Sequence, residues 1–265
     1  VSGPLNAGGT LRARLIGAHE QRHSYLDYNK VHRYVVGALL AWDVVPGLTA
    51  TIGYSRQDNR ADGILWGALP LVYSDGSRIP YPRSASTSAP WAYANILNQS
   101  AFGELTWQIG GDWSVRGVFT YNDVDSNALR IYAGGTPDPD TGLGVTAGSG
   151  LYPTRNKQYL IDGYASGSIE LFGRRHQLAF GVSNGWLREA EYEAFSDAEI
   201  DYGDIRQLSS FVPVEPSYPE AELQGRERDR LTRVYGAIHL DFADRLKGVV
   251  GVSAVWLKTS GFSYG

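Results

Sequence analysis

Apolar residues recur at every second position along most of this 265-residue sequence. A period of two commits a segment to extended strand with one apolar face, because side chains alternate across a pleated strand and do not on a helix. From Arg33 to Asp43 the alternate positions are Tyr34, Val36, Ala38, Leu40 and Trp42. Beyond Gly47, Ala50, Ile52 and Tyr54 stand opposite Thr49, Thr51, Gly53, Ser55 and Gln57. The pattern returns at Gly103, Leu105, Trp107 and Ile109, and at Val115, Gly117, Phe119 and Tyr121. It returns again at Ile161, Ala165, Ile169 and Leu171, and at His176, Leu178, Phe180 and Val182. The last two sets are Val234, Ile238, Leu240 and Phe242, then Leu246, Val250, Val252, Ala254 and Trp256. With Leu11, Ala13 and Leu15 between Thr10 and Ala18, these segments predict about nine strands and no helix.

Alternation alone also suits a soluble β-sandwich binding module, in which one face packs on a second sheet. The connections favour another architecture. Val44–Leu48, Gly110–Asp112, Gly173–Arg175 and Ala243–Arg245 are short, whereas Asn59–Asn98, Ser126–Asn156 and Arg188–Asp229 are long. Short and long connections alternate strictly, so all short turns fall at one end of the strands and all long loops at the other. That is the plan of an antiparallel up-and-down transmembrane β-barrel with short periplasmic turns and long extracellular loops.

The longest apolar run, Val35–Trp42, falls short of the roughly 20 residues a spanning helix needs. A barrel needs no such run. Aromatic residues form 12% of the chain, with 17 Tyr and 7 Trp, enough to build interfacial girdles. Trp42, Trp113, Phe172 and Phe242 fall beside the short turns, and Tyr34, Tyr54, Tyr121 and Trp256 towards the long loops. Eight residues separate Tyr34 from Trp42; at about 3.3 Å per residue and a tilt near 45° they span roughly 19 Å, close to the apolar band of a barrel. In this register Val115, Phe119, Ile169, Leu171, Leu240 and Val250 face lipid, while Arg12, Arg14, Glu104, Arg116, Asp162 and Glu170 line the lumen.

A formal charge of −4, a pI near 5.7 and no basic run argue against a nucleic-acid partner. With no cysteine in the chain, disulfides, thiolate catalysis and Cys-based zinc sites are excluded. Methionine is also absent, and bacterial barrels carry even strand numbers. Both observations lead to the expectation that the chain is part of a longer barrel.

Several segments resemble the TonB-dependent siderophore receptors of Gram-negative outer membranes. Val1–Asn6 running into Gly9–Arg14 is similar to the junction between plug and first barrel strand, which implies residues 1–8 as the end of a plug or linker and 9–265 as the N-terminal part of the barrel. Tyr34–Leu48, with its Asp-x-x-Pro turn, and Thr49–Gln57 resemble the second and third strands. Leu65–Leu71, Tyr81–Ser84 and Trp91 resemble the first long outer loop of the ferric-pyoverdine and ferric-coprogen branch. Ile161–Gly167 and Leu171–Leu178 match the family most closely, and Leu246–Gly265 resembles a strand ending in Lys-Thr-x-Gly-x-x-Tyr-Gly. Ser253 departs from the arginine expected after Gly-x. The resemblance implies a receptor in the bacterial outer membrane that takes a ferric siderophore at its outer loops and imports it by TonB-energised transport. It implies contacts with outer-membrane lipid, with its own plug domain, and with the TonB complex through a region N-terminal to these residues. The iron would arrive as part of the ligand, with no cofactor held by the protein itself.

A mouth for a bulky, partly aromatic ferric siderophore needs aromatic faces together with donors or cations. Trp66, Tyr73, Tyr81, Trp91, Tyr93, Tyr132, Tyr152 and Trp186 lie in or beside the long connections, with Arg83 and Arg155 as cationic partners for an anionic complex. Other constellations are weaker. Asp138-Pro-Asp140-Thr-Gly142 has the start of a calcium loop without its later acidic ligands, and the five histidines, among them His176 in a turn, show no metal spacing. No nucleophile elbow occurs, and inward-facing His239 has no evident Ser partner for a barrel hydrolase. The expectation is a receptor rather than an enzyme, with a passive porin as the nearest alternative.

Overall fold

The alternating segments pair with their neighbours in sequence to form one antiparallel sheet. The structure, a computed structural model, describes residues 1–263, so the final Tyr-Gly of the Lys258–Gly265 pattern lies outside the described residues. The strands are β1 (Ser2–Pro4), β2 (Leu11–His23), β3 (Lys30–Val45), β4 (Leu48–Asp62), β5 (Tyr93–Gly110), β6 (Trp113–Gly134), β7 (Thr146–Leu171), β8 (Arg174–Phe195), β9 (Ile200–Asp201), β10 (Glu222–Ala243) and β11 (Leu246–Phe262). They lie in the order β1-β2-β3-β4-β5-β6-β7-β8-β10-β11, with the two-residue β9 against β7. The nine long strands match the sequence expectation. The short β1 and β9 and a 3₁₀ turn at Ile205–Ser210 add to it. No second sheet packs on this one among the described residues, which removes the sandwich alternative.

All four short connections are two-residue hairpins: Pro46–Gly47, Gly111–Asp112, Phe172–Gly173 and Asp244–Arg245. Phe172 and Gly173 both take positive φ, 53° and 72°, as a type I′ turn requires if the hairpin is to follow the twist of its strands. His176 is in β8 rather than in this turn. It is buried, with Nδ1 accepting from the Asp241 amide at 3.0 Å and Nε2 facing the Leu171 carbonyl at 3.1 Å. The first shared bond leaves the proton on Nε2, so the ring ties β8 to β10 and to the end of β7.

Directly opposed residues share a face, so the register can be followed across the sheet. One row runs Ala13, Leu40, Ile52, Gly103, Phe119, Ile161, Asn184, Thr232, Trp256. Neighbouring rows on this face bring together Leu15, Ala38 and Tyr54, and further along Ala165, Phe180 and Val115. Phe119, Leu171 and Val250 are exposed on it. The opposite face carries Arg12, Arg14, Glu104, Arg116, Asp162 and Glu170. Its polar groups pair across strands: Arg12 with Asp43 at 2.5 and 2.8 Å, Arg116 with Glu104 at 2.5 Å, and Ser183 with Asp162. His239 also lies there, between Gln177 and Val249. The sheet thus has one continuous apolar face and one polar face, as a barrel wall between lipid and water requires.

The buried hydrophobic core lies outside this wall. Contrary to the expectation of a loop over Ser126–Asn156, β6 and β7 stay paired without a register break as far as Gly134 and Thr146. The connection shrinks to residues 135–145. The outward face of this extension carries Ile131, Ala133 and Ala147, and residues of the 63–92 and 196–221 connections pack on it. Tyr73, Ile79, Ala85, Ala89, Ala92, Val145, Ile200, Tyr202, Ile205 and Leu208 complete that cluster. The long loops are therefore one packed body, standing on a sheet that continues past the apolar band.

Candidate ligand-binding site

The inward face of the β6–β7 extension gathers an aromatic cluster around one cation. Arg130 and Tyr132 on β6, Tyr152 on β7 and Phe195 on β8 share this face through the pairs Arg130–Gly150, Ala128–Tyr152 and Gly150–Phe195. The connection after β4 brings Trp66 across the top. The Trp66 ring meets Tyr152 edge-on at 5.1 Å and Tyr132 at 6.2 Å, and Tyr152 meets Phe195 at 5.9 Å. The Arg130 guanidinium lies 4.7 Å from the Trp66 ring centre and 5.1 Å from that of Tyr152. Tyr132, Phe195 and Trp66 remain 56%, 55% and 39% exposed, so the cluster presents aromatic surface to water instead of closing on itself. Gly67 is required beside it. Its φ is 108°, and a Cβ there would stand 2.9 Å from the Tyr132 ring.

Three of the ten residues singled out from sequence, Trp66, Tyr132 and Tyr152, meet here. Four others build the loop body. Tyr73 is buried, and Tyr81 packs against the core with its hydroxyl unpartnered among the described residues. Trp91 donates from Nε1 to the Pro213 carbonyl at 2.8 Å, and Arg83 lies over the Tyr25 ring at 4.9 Å. The remaining three, Tyr93, Arg155 and Trp186, stand on the outward face, paired with Leu129, Ala190 and Arg230. Arg130 and Phe195 were not singled out. Extending the period of two from Asn122 through Arg130 would have placed Arg130 on the face shared with Tyr132.

The loop body is internally satisfied. Asp138 Oδ1 accepts from the amides of Asp140 and Thr141 at 3.0 and 2.8 Å and from the Thr141 hydroxyl at 2.9 Å. These amides hold the carboxyl below its usual range, so the calcium-like stretch is a self-capped turn. Arg206 clamps it, donating to the Thr141 carbonyl at 3.0 Å and pairing with Asp204 at 2.7 Å. Among the described residues, no three His, Cys, Asp or Glu side chains come together to hold a metal.

An antiparallel wall with one apolar face, two-residue turns at one end and a packed loop body at the other is the plan of an outer-membrane β-barrel wall. In sequence the chain is similar to ferric-pyoverdine receptors of Pseudomonas. The chain is 26% identical over 266 residues to the ferric-pyoverdine M114 receptor PbuA of Pseudomonas sp. strain M114. It is 29% identical over 185 residues to the ferripyoverdine receptor of Pseudomonas aeruginosa. The alignments cover 98% and 69% of this chain but only 32% and 22% of those relatives, so the chain spans about a third of their length or less. No family model matches. Among solved structures, the P. aeruginosa ferripyoverdine receptor bound to ferripyoverdine superposes over 98% of this chain and 35% of its own, with a TM-score of 0.88 at 23% identity. The ferric-catecholate import receptor Fiu of Escherichia coli superposes over 98% of this chain and 42% of its own, with a TM-score of 0.78 at 14% identity. These likenesses fix the fold, and the sequence relatives are receptors rather than porins or enzymes.

Proposed function

We propose that this chain is the first part of the barrel wall of a TonB-dependent outer-membrane receptor, and that the receptor binds a ferric siderophore of the pyoverdine class at its outer mouth. Residues 1–8, whose Ser2–Pro4 pairs along β2, then lead from a plug domain into the wall, and 9–265 supply the N-terminal part of the barrel with its outer loops. TonB engages a region N-terminal to these residues. The observation that carries the ligand assignment is the half-exposed cluster of Trp66, Tyr132, Tyr152 and Phe195 around Arg130 on the inward face. Aromatic surface with an embedded guanidinium suits an anionic, partly aromatic chelate. The iron is cargo held by the siderophore, and the protein supplies contact surface. Tyr73, Tyr81, Arg83 and Trp91 support that surface by packing the loops behind it.

Equilibrium titration of the full-length receptor with ferric pyoverdine tests this reading. Trp66→Ala should weaken binding by roughly tenfold or more, the scale of losing an aromatic anchor, while the barrel keeps its thermal stability. Unchanged affinity would remove the cluster from the mouth.

A further inference from the structure

Beyond the outer girdle, the outward face changes from aromatic to cationic on β7, β8 and β11, and from Thr232 to Arg230 on β10 between them. Lys157 stands two positions past Tyr159, Arg188 two past Trp186, and Lys258 two past Trp256. The cross-strand pairs Lys157–Arg188 and Arg188–Arg228 make one row, Arg230–Lys258 a second, and Arg155 and Arg226 flank Ala190 in a third. All seven cations are exposed.

The sequence segregates this charge by period. In Arg226-Glu-Arg-Asp-Arg230 the three arginines point outward and the two acids inward, where Glu227 opposes Glu189. The acids are therefore on the wrong face to neutralise the arginines. Asp125 and Asp123 approach Arg155 and Lys157 at 3.6 and 3.7 Å from the β6 border. Arg188, Arg226, Arg228, Arg230 and Lys258 form no ion pair among the described residues, and Arg230 lies 5.8 Å from the Trp186 ring. On β4 the same height is mixed and internally paired, as in Arg60–Asp58 at 2.9 Å. The excess is confined to one side of the wall.

Height identifies the occupant. Two positions along a tilted strand rise about 5 Å and four about 9 Å, whereas each headgroup layer is roughly 5–8 Å thick. The two nearer rows thus stand within the headgroup layer and Arg155 and Arg226 at its outer edge, all of them outside the lumen and away from the aromatic cluster. We infer that Arg155, Lys157, Arg188, Arg226, Arg228, Arg230 and Lys258 form a docking surface for phosphate-bearing lipid headgroups of the outer leaflet. Several guanidinium forks within one sheet patch suit headgroups carrying more than one phosphate, because each fork can hold a phosphate bidentately.

This inference rests on the apolar face meeting lipid and not on the identity of the siderophore. The test is native mass spectrometry of the full-length receptor, purified in neutral detergent and titrated with diphosphoryl lipid A, its dephosphorylated form, or inorganic phosphate. Wild type should retain diphosphoryl lipid A, and removing the lipid phosphates should abolish retention. Each basic residue at an anionic surface contributes roughly fivefold, so the Arg188→Gln/Arg226→Gln/Arg228→Gln triple should bind about a hundredfold more weakly. Arg228→Gln alone should lose roughly fivefold, a readout that survives if the triple folds poorly. The corresponding triple Arg→Lys variant should stay within a few-fold of wild type. Ferric-siderophore affinity should not change in any of them. Equal binding of diphosphoryl lipid A by wild type and the Gln triple would overturn the inference. So would equal retention of the dephosphorylated lipid, or inorganic phosphate binding as tightly as the lipid.

Discussion

Arg130 shows how one residue's surroundings can make it useful without an ion pair. Its guanidinium lies against both Trp66 and Tyr152, which holds a cation at an open aromatic surface. A cation over an aromatic face contributes about 0.5–2 kcal/mol. Arg130→Gln in the full-length receptor should therefore lower affinity for ferric pyoverdine by roughly threefold to thirtyfold, measured by tryptophan fluorescence quenching. Arg130→Lys should restore only part of it, because a planar guanidinium stacks on rings and an ammonium does not. Full recovery with Lys would reduce the role of Arg130 to charge alone. Residue type alone singled out Trp66, Tyr132 and Tyr152, which the fold brings together. It did not single out Arg130 and Phe195, because their part depends on which face they occupy, and a span read as loop has no faces. Trp91 is the converse case. Its chemistry suits a ligand, but its indole N–H is bound to the Pro213 carbonyl and its ring supports the loop core.

At the level of elements, the strands within the apolar band were readable because lipid on one side and water on the other enforce strict alternation. The four short turns were readable because they interrupt it. Past the band that constraint ends. Residues 126–156 carry Gly134, Gly135, Pro137, Pro139 and five further glycines or prolines, Gly142, Gly144, Gly148, Gly150 and Pro153, the signature of turns, yet β6 and β7 continue through most of this stretch. Their backbones pair with each other, and the outward face is buried by the loop body instead of by lipid. That body has its own pH signature. Burial raises the Tyr81 phenol from its ordinary 10.0 to about 12, and raises Tyr202, which also donates to the Thr87 carbonyl. Folded loops keep these protons at a pH where unfolded loops release them, so their contribution is complete below about pH 10 and is lost as pH climbs through about 12. Near-UV circular dichroism of the full-length receptor should show the loop aromatic signal fading over that interval, while the far-UV strand signal persists. Tyr81→Phe should leave the loops as stable or slightly more so at pH 7 and move the loss to higher pH, since the Tyr81 hydroxyl has no partner to forfeit. A signal flat to pH 12 would contradict the packing described for Tyr81 and Tyr202.

For the molecule as a whole, the decisive relation is between the sheet's two faces and the two solvents they meet. Adjacent residues on β6 make opposite claims. Phe119 lies mid-strand on the apolar face between Gly103 and Ile161, while Val118 lies on the polar face between Glu104 and Asp162. An arginine near the bilayer midplane on the lipid side costs about 2–4 kcal/mol, whereas lumen positions tolerate polar side chains. Phe119→Arg should therefore lower the unfolding free energy of the full-length receptor in lipid vesicles by about that amount, read from its denaturant midpoint. Val118→Lys should cost little, because the new ammonium falls between two carboxylates. The contrast cannot come from helix propensity, loop packing or ligand contact, since the two positions differ by one residue and lie between the same two strands, β5 and β7. Equal costs would mean that both faces see the same environment, and neither the barrel wall nor the headgroup-level cations could then keep their assigned places.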